Sequence, residues 1–554
     1  MISPRTDLDI AHSVHLRPIT EIAARLDLAP EDLELYGPYK AKLDPALDRG
    51  RDGKLILVTA INPTRAGEGK TTMTVGLGQA MWRLGHRSII ALREPSLGPC
   101  MGVKGGATGG GWSQVLPMED INLHFTGDLH AVTAAHNLLS AMVDNALHHG
   151  TTRLDPRRVA WKRVLDVNDR ALRNVLVGLG DRTDGVPRQS GFDITAASEV
   201  MAALCLADDL ADLRARMARF VVGYAGPRDA VTAGELGAAG AMTALLRDAF
   251  KPNLVQTIEG TPAILHGGPF ANIAHGTNSI AATRLALRLS DYVLTEAGFG
   301  ADLGAEKWFD IVCRGAGFAP RAVALVATVR ALKLHGGAPA GDLARPDVAA
   351  LERGLCNLDQ HLDLLARFGV PTLVCLNHFT SDSADEIGCV KAHCEARGAG
   401  FATADVWGKG GEGALEAAAE LVRLADGHDG SYTPLYAVDD PAEEKILKVA
   451  RAAYGAADVT FTAQATRDLN RARALGLGGL PVCIAKTPAS LSDDPTRIGR
   501  PTGFTLTVRE VVTCAGAGFL VPITGDLMRM PGLPKQPAAL NIDVDPQGRI
   551  TGLA

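Results

Sequence analysis

The chain has 554 residues, of which 46% are apolar and 21% are charged, and its formal net charge is −6. This composition excludes a disordered polypeptide, because the apolar residues suffice for several buried cores. The small negative charge, with no long basic run, argues against a nucleic-acid surface and a polybasic membrane patch. No stretch is long and apolar enough to span a bilayer, so we expect neither nucleic acid nor membrane as a partner.

The amino-terminal segment and the cysteines both bear on the cellular compartment. The first twenty residues contain no apolar core of the kind that secretory signals carry, so we expect a cytoplasmic protein. The nine cysteines are scattered along the chain, and no two form a C-x-x-C pair. This arrangement predicts free thiols rather than disulfides or a zinc site.

Residues 15–48 have the character of a helical segment. The stretches IAARLDL and PEDLELY predict two helices, and Gly37 and Pro38 end the second. We expect both helices to pack on the first domain.

The most informative pattern runs from Lys54 to Leu84. The apolar run LILV stops before Pro63, and beyond the next loop Met73 and Leu77 fall on one face of a helical pattern. This order predicts a strand, a loop and a helix.

The loop of this unit predicts a binding site for a nucleotide triphosphate. Gly67 and Gly69 let backbone N–H groups approach a bound anion closely. Lys70 adds a positive charge for the β- and γ-phosphates, and Thr71 offers a hydroxyl to Mg²⁺. Thr64 stands where the first glycine of G-x-x-x-x-G-K-[ST] belongs, so a glycine-rich turn without a ligand is the alternative. The predicted nucleotide-binding residues are Thr64, Arg65, Ala66, Gly67, Glu68, Gly69, Lys70 and Thr71.

Arg93 is the second candidate for a functional side chain. It follows the predicted strand SIIAL, which we expect to lie next to the strand of the phosphate loop. In parallel sheets ligands bind outside the carboxyl ends of the strands, so Arg93 should face the phosphates. The alternative is an ion pair with an acidic neighbour. A glycine-rich segment, residues 98–111, follows and has the composition of a loop that wraps an anion.

The α/β alternation continues from residue 219 to residue 330. The apolar runs FVV at Phe220, YVL at Tyr292 and VALV at Val323 predict further strands. Two polar, glycine-rich segments, residues 266–279 and 295–310, interrupt them and have the character of binding loops.

Two aromatic residues follow neighbouring predicted strands in the next part of the chain. Phe379 comes after the strand LVCL, and Trp407 comes after a short strand that begins at Phe401. This placement predicts a stacking clamp for a flat heterocycle, and two core rings are the alternative. A last apolar strand is expected at Val482 to Lys486.

We therefore predict an α/β protein with a large P-loop-containing nucleotide-binding domain, a mostly parallel sheet, and two smaller α/β domains. The predicted boundaries give a nucleotide-binding domain at 1–345, a domain with the aromatic clamp at 346–454, and a C-terminal α/β domain at 455–554.

These motifs together resemble those of the formate–tetrahydrofolate ligase family, in its monofunctional form, over essentially the whole chain. The family segments that the chain resembles, in order, are PTRAGEGKTT, REPSLGPCMGVKGGATGGGWSQVLPMEDINLHFTGD, TEAGFGADLGAEKW, WGKGGEGA, AKTPASLSDDP and MPGLPKQPAALNIDVD. The resemblance implies that ATP, formate and tetrahydrofolate give 10-formyltetrahydrofolate, ADP and phosphate. It also implies Mg²⁺, a monovalent cation (K⁺ or NH₄⁺) and a homotetramer, with a folate that can carry a polyglutamate tail.

The chemistry of this reaction suggests roles for the candidates. Formate is a weak electrophile, so phosphorylation to formyl phosphate is expected before the folate amine attacks. Lys70 and Arg93 are the predicted catalytic residues, Thr71 the predicted Mg²⁺ ligand, and Glu94 a candidate contact of the cation site. The resemblance also places the pterin or the purine between Phe379 and Trp407.

Arg65 supports a rival hypothesis. It stands where the family usually has proline, five residues before Lys70, at the position of the signature lysine in partitioning ATPases. A nucleotide-switch ATPase of that type is the alternative, although such proteins are usually much shorter.

Overall fold

The computed structural model describes residues 6–104, 107–525 and 527–553. Within these residues the largest sheet has twelve strands, ten of them in the order β1-β2-β13-β14-β4-β15-β3-β16-β17-β18, with β5 and β6 attached at β13. The strands are β1 Leu33–Leu35, β2 Ala41–Leu43, β3 Lys54–Ala60, β4 Ser88–Leu92, β5 Gly109–Gly110, β6 Ser113–Leu116, β7 Arg163–Leu165, β8 Val175–Val177, β9 Arg188–Ser190, β10 Phe192–Ile194, β11 Val221–Gly226, β12 Asp229–Thr232, β13 Asn253–Thr257, β14 Pro262–Leu265, β15 Tyr292–Glu296, β16 Pro320–Ala327, β17 Thr372–Asn377, β18 Gly400–Ala404, β19 Asp458–Phe461, β20 Thr505–Cys514, β21 Phe519–Thr524, β22 Asp543–Val544 and β23 Ile550–Thr551.

Helices cover the sheet and fill the connections. The α-helices are α1 Asp7–His12, α2 Ile19–Ala24, α3 Lys70–Arg83, α4 Leu97–Pro99, α5 Met118–Asn122, α6 Asp128–His148, α7 Glu199–Leu206, α8 Leu210–Ala218, α9 Ala239–Leu246, α10 Ile280–Leu289, α11 Arg314–Ala316, α12 Val329–His335, α13 Val348–Phe368, α14 Ala384–Ala396, α15 Val406–Lys409, α16 Leu415–Gly427, α17 Ala442–Val449 and α18 Ala463–Ala474. Short 3₁₀ turns lie at Pro30–Asp32, Pro156–Arg158, Arg170–Arg173, Thr195–Ala197, Gly410–Ala414 and Ala538–Leu540, and π-helical turns at Cys100–Lys104, Ala301–Ala305, Trp308–Cys313 and Ala450–Tyr454.

The strands from β14 to β18 in the sheet order are parallel to one another, which confirms the predicted mostly parallel sheet. Strand β3 lies at its centre between β15 and β16, and its residues from Leu55 to Ala60 are at most 1% exposed. Ile56 belongs to the core cluster of α3 and α16, whereas Leu57 belongs to that of α10 and α13. The sheet is therefore covered on both faces, and its binding edge is at the carboxyl ends of the strands.

One predicted neighbour relation is wrong. Strand β4 does not lie next to β3, because β15 is inserted between them and pairs in parallel with both. Strand β15 comes from residues some 200 positions later in the chain, so no local pattern could show its place.

The helix predicted in PEDLELY is also wrong. Only Pro30–Asp32 is helical, as a 3₁₀ turn, and β1 pairs antiparallel with β2 at the edge of the sheet. Sheet pairing overrides the weak helical pattern of this short stretch.

Two other predicted strands have a different context. The run at Phe220 forms β11, which pairs antiparallel with β12 in a separate ribbon. The run from Val482 to Lys486 makes isolated bridges with Leu520 and Ile523 beside β21, rather than a full strand.

The predicted domain boundary at 345 falls between strands of one sheet, since β16 and β17 pair in parallel across it. The C-terminal residues contribute a small sheet of β19, β20 and β21. The division into three domains stays a prediction.

The nine cysteines are all free thiols, as predicted. Among the residues that the structure describes, no helix combines the length and the hydropathy that a bilayer span requires.

Helices α12 and α13, which follow β16 and precede β17, pack backbone against backbone through two glycines. A Cβ atom on Gly354 would lie 1.8 Å from the carbonyl oxygen of Leu332, and one on Gly336 would lie 1.7 Å from that of Ala350. Side chains at these positions are therefore incompatible with the observed helix separation.

We predict that Gly354→Ala destabilises the protein by about 1–3 kcal/mol, because the added methyl group forces the two helices apart. The matched control is Gly388→Ala in α14, where nothing lies within 4 Å of the new Cβ and the glycine is exposed. That change should stabilise its helix by about 1 kcal/mol. Urea unfolding monitored by circular dichroism measures both, and equal midpoints for the two variants would contradict the close packing.

Candidate functional site

The loop between β3 and α3 has the backbone that an anion site requires. Gly67 and Gly69 have φ values of 80° and 70°, in the left-handed region that favours glycine. A Cβ on Gly69 would also lie 2.6 Å from Nδ2 of Asn377, at the end of β17. Both the conformation and the close approach therefore require a glycine at position 69.

Helix α3 begins directly at Lys70 with an uncapped end. Its N-cap residue is Gly69, which has no side chain to accept hydrogen bonds from the first turn. The first backbone N–H groups of a 14-residue helix thus point toward the loop, where they favour negative charge. Lys70 is half-buried there, while Arg65 and Ala66 are exposed at the tip of the loop.

Glu68 fixes the shape of the loop from inside. The residue is 2% exposed, and its Oε1 accepts a hydrogen bond of 2.6 Å from the backbone N–H of Thr64. Its Oε2 accepts from the hydroxyl of Thr328 at the end of β16, and its carbonyl accepts from Asn377 at 3.1 Å. The sequence pattern places Glu68 in the loop but does not indicate that its side chain fixes the shape of the loop. Its buried carboxylate bonds the loop to the end of β16, and its backbone carbonyl bonds the loop to β17.

Asn62 anchors the root of the loop in a buried polar network. Its backbone N–H donates to Nε2 of His361 at 3.1 Å, and its carbonyl lies 3.1 Å from Nε2 of His335. Burial lowers the pKa of His361 to about 4, so the ring is neutral and accepts this bond at neutral pH. Asn357 adds a 2.9 Å hydrogen bond to Oδ1 of Asn62.

The same network reaches the C-terminal part of the chain. Nδ2 of Asn62 donates to Oδ1 of Asp302 and to the carbonyl of Pro488, both at 3.3 Å. Asp302 forms a 3.1 Å ion pair with Lys486, and both side chains are fully buried. Burial lowers the pKa of Lys486, and the Asp302 carboxylate opposes that shift. Lys486 therefore supports the loop root from the far end of the sequence.

The carboxylate of Glu296 lies between two predicted site residues. Glu296 ends β15, the strand between β3 and β4, and is 5% exposed. The hydroxyl of Thr71 donates to its Oε2 at 2.8 Å, and its Oε1 lies 3.5 Å from Nη2 of Arg93. Strand order thus brings the predicted metal ligand Thr71 and the predicted catalytic residue Arg93 to one acidic side chain.

Arg93 keeps part of its fork available despite this ion pair. Nη1 donates to the carbonyl of Pro269 at 3.3 Å. Nε is buried and has no hydrogen-bond partner among the residues that the structure describes. The edge formed by Nε and Nη2 has the geometry that a carboxylate or a phosphate accepts in two parallel hydrogen bonds. The ion pair and a ligand site, the two readings of Arg93, are therefore compatible.

Glu94 points into a different, buried environment. The residue is 4% exposed, and its Oε2 has no partner among the described residues. Burial, with the nearby Asp128 carboxylate, raises its pKa well above the ordinary value, and Lys42 opposes the shift. A carboxyl in such a place is neutral unless a cation balances its charge.

The two aromatic residues of the predicted clamp have different surroundings. Phe379 is half-buried, and the guanidinium of Arg330 lies 4.2 Å from its ring centroid. Trp407 is 47% exposed, and its indole N–H donates to Asp7 at 3.2 Å. No ring contact joins them in the described part of the chain. Each ring is at least partly exposed, and the clamp stays a prediction.

Two further features concern the site, namely metal-binding clusters and the glycine-rich segment of residues 98–111. Within 6–104, 107–525 and 527–553, no group of three or more His, Cys, Asp and Glu side chains could hold a metal ion. Gly105 and Gly106 of the glycine-rich segment lie outside the described residues.

The comparison with known proteins decides the family. The model of the formate–tetrahydrofolate ligase family matches residues 5–554. The formate–tetrahydrofolate ligase of Bacillus licheniformis is 55% identical over 558 residues, which cover 100% of both chains. This chain belongs to the formate–tetrahydrofolate ligase family. The ligase family confirms the resemblance drawn from the motifs, and the partitioning ATPase gains no support.

For this ligase we predict that Gly69→Ala weakens ATP binding about tenfold, because left-handed alanine costs about 1–2 kcal/mol and its Cβ meets Asn377. Gly85→Ala, at the other end of α3, is the control: it has φ 85° and open space around its Cβ. The control should lower the unfolding temperature and leave ATP affinity unchanged. Equilibrium nucleotide binding measures the difference, and equal affinities in both variants would exclude the loop as the triphosphate site.

Proposed function

We propose that the chain ligates formate to tetrahydrofolate with ATP and that the reaction proceeds through formyl phosphate at the carboxyl ends of β3, β15 and β4. Membership of the ligase family over the whole chain carries the overall reaction. The unpartnered Nε of Arg93, and the contacts of both Arg93 and Thr71 with Glu296, support the route.

The phosphate loop supplies the triphosphate site in this proposal. Backbone N–H groups of the loop and of the first turn of α3 donate to the phosphate oxygens, apart from the N–H of Thr64, which is bonded to Glu68. Lys70 neutralises charge on the β- and γ-phosphates. The hydroxyl oxygen of Thr71 fits a hard divalent cation, so Thr71 would hold Mg²⁺, with the carboxylate of Glu296 bonded to the same hydroxyl behind it. When bound, Mg²⁺ neutralises phosphate charge during transfer.

Arg93 orients formate. Two N–H groups of one guanidinium edge hold the carboxylate, so that one formate oxygen can attack the γ-phosphorus. The P–O bond to ADP breaks and a bond to formate oxygen forms. The folate amine then attacks the formyl carbon, the C–O bond breaks, and phosphate leaves with that oxygen. Arg93 stays near the negative charge through both steps.

The experiment that tests this route uses ¹⁸O-labelled formate. We expect one label in each phosphate released, because the attacking oxygen remains on phosphorus when the amine takes the formyl group. Unlabelled formate in labelled water is the control and should give unlabelled phosphate. Mass spectrometry of the phosphate decides: absence of label with labelled formate would rule out formyl phosphate and the role given to Arg93.

Phe379 and Trp407 are proposed to stack on the pterin of tetrahydrofolate, or on the purine in another state. The partial exposure of Phe379 and the 47% exposure of Trp407 support this role. Stacking contributes about 0.5–1.5 kcal/mol beyond area burial, so Phe379→Ala and Trp407→Ala should each raise KM for tetrahydrofolate up to about tenfold. Leu540→Ala, at a second exposed apolar residue, is the control. Wild-type KM values in both ring variants would identify the rings as structural.

The remaining expectations are proposals of the same kind. Glu94 is proposed to contact a monovalent cation (K⁺ or NH₄⁺), which its unpartnered buried oxygen supports. The homotetramer and the acceptance of polyglutamylated folate rest on the family resemblance, and the cytoplasmic location rests on the composition of the amino-terminal segment.

A further inference from the structure

Glu296 is shared by two groups with different proposed ligands. Its two carboxylate oxygens face opposite partners, with Thr71 on Oε2 at 2.8 Å and Arg93 on Oε1 at 3.5 Å. The residue is 5% exposed, so solvent screens these interactions only weakly. A change in the charge at one partner is therefore felt at the other.

The ion pair with Glu296 opposes anion binding at Arg93. A formate bound to the free edge of Arg93 would place a second negative charge beside the Glu296 carboxylate. Like charges at short distance in a partly buried site repel each other. The arrangement seen in the structure is thus one in which Arg93 is partly neutralised and formate binds weakly.

A cation at Thr71 changes this balance. The hydroxyl of Thr71 can present a lone pair to a metal ion while its proton stays on Glu296. The metal ion beside Thr71 then balances the negative charge of Glu296. Glu296 therefore repels a formate at Arg93 less than it does without the metal ion. Arg93 becomes the stronger anion site when the cation is present.

We propose that Glu296 couples the two halves of the site, so that binding of Mg²⁺ with nucleotide raises the affinity for formate. The inference rests on the proposed function, because it takes Thr71 as the metal-binding residue and Arg93 as the formate-binding residue. Coupling between binding free energies is reciprocal, so formate must raise the affinity for Mg²⁺ with nucleotide by the same factor. Glu296 acts through Thr71 and Arg93, which makes it a positioning residue.

The test measures binding rather than turnover. The affinity of ¹³C-labelled formate is determined by NMR titration of the full chain with ADP, once with Mg²⁺ and once with EDTA. For the wild-type protein we expect formate to bind about tenfold more tightly with Mg²⁺, within the usual range of such couplings. In Glu296→Gln the ratio should fall below about twofold, and the affinity without metal should rise, since the competing charge is gone.

The control variant is Glu235→Gln, which removes the carboxylate of another Arg–Glu pair, that with Arg153, outside the site. It should keep the wild-type ratio. If Glu296→Gln does not fold, Glu296→Asp replaces it: the shorter side chain retreats from both partners, and the ratio should fall toward one.

The outcomes separate this inference from the proposed function. A wild-type ratio in a folded Glu296 variant, with ADP release still dependent on formate, overturns the coupling alone. Loss of formate dependence of ADP release in the wild-type protein overturns the proposed function instead. A ratio near one in the wild-type protein, with formate bound, also overturns the coupling.

Discussion

The site depends on one electrostatic constraint, the convergence of three parallel strands on a single buried carboxylate. Strand β3 leads into the loop that carries Thr71, β4 ends at Arg93, and β15 between them ends at Glu296. A carboxylate at this depth needs partners, and it finds them in the hydroxyl and the guanidinium on either side. The same contacts that satisfy Glu296 hold the hydroxyl of Thr71 and the guanidinium of Arg93 at a fixed separation. The contacts that stabilise the buried carboxylate of Glu296 are therefore the same contacts that position Thr71 and Arg93.

The loop is held by side chains that touch no phosphate in the proposed mechanism. Glu68 ties it to β16 and β17, and Asn62 is bonded to neutral imidazoles from α12 and α13. The close glycine contact of those helices sets where the imidazoles lie. Anion binding by backbone N–H groups requires such rigidity, because a loop that reorganises around each ligand loses part of the binding energy.

The sequence predicts the local parts of this arrangement well. Strand β3, the loop with two glycines at positive φ, and helix α3 follow one another within about thirty residues, and short-range patterns specify them. The sequence could not show that β15 separates β3 from β4, since strand order is decided by packing between distant segments. For that reason Glu296 was missed, although it lies in TEAGFGADLGAEKW. The feature of the sequence that indicates Glu296 is an acidic residue at the end of an apolar strand. The helix predicted in PEDLELY is wrong for a related reason. Pairing of β1 with β2 outweighs the helical pattern of these seven residues.

The ion pair of Lys486 with Asp302 has a consequence for biosynthesis. Asn62, at the root of the loop between β3 and α3, bonds to the carbonyl of Pro488, 426 positions later in the chain, and through Asn357 to that of Gly499. Until those residues leave the ribosome, Asp302 lacks its Lys486 partner, and the polar groups around Asn62 lack two of their acceptors. The loop and its neighbouring strands are therefore synthesised well before the bonds that fix the root of the loop can form.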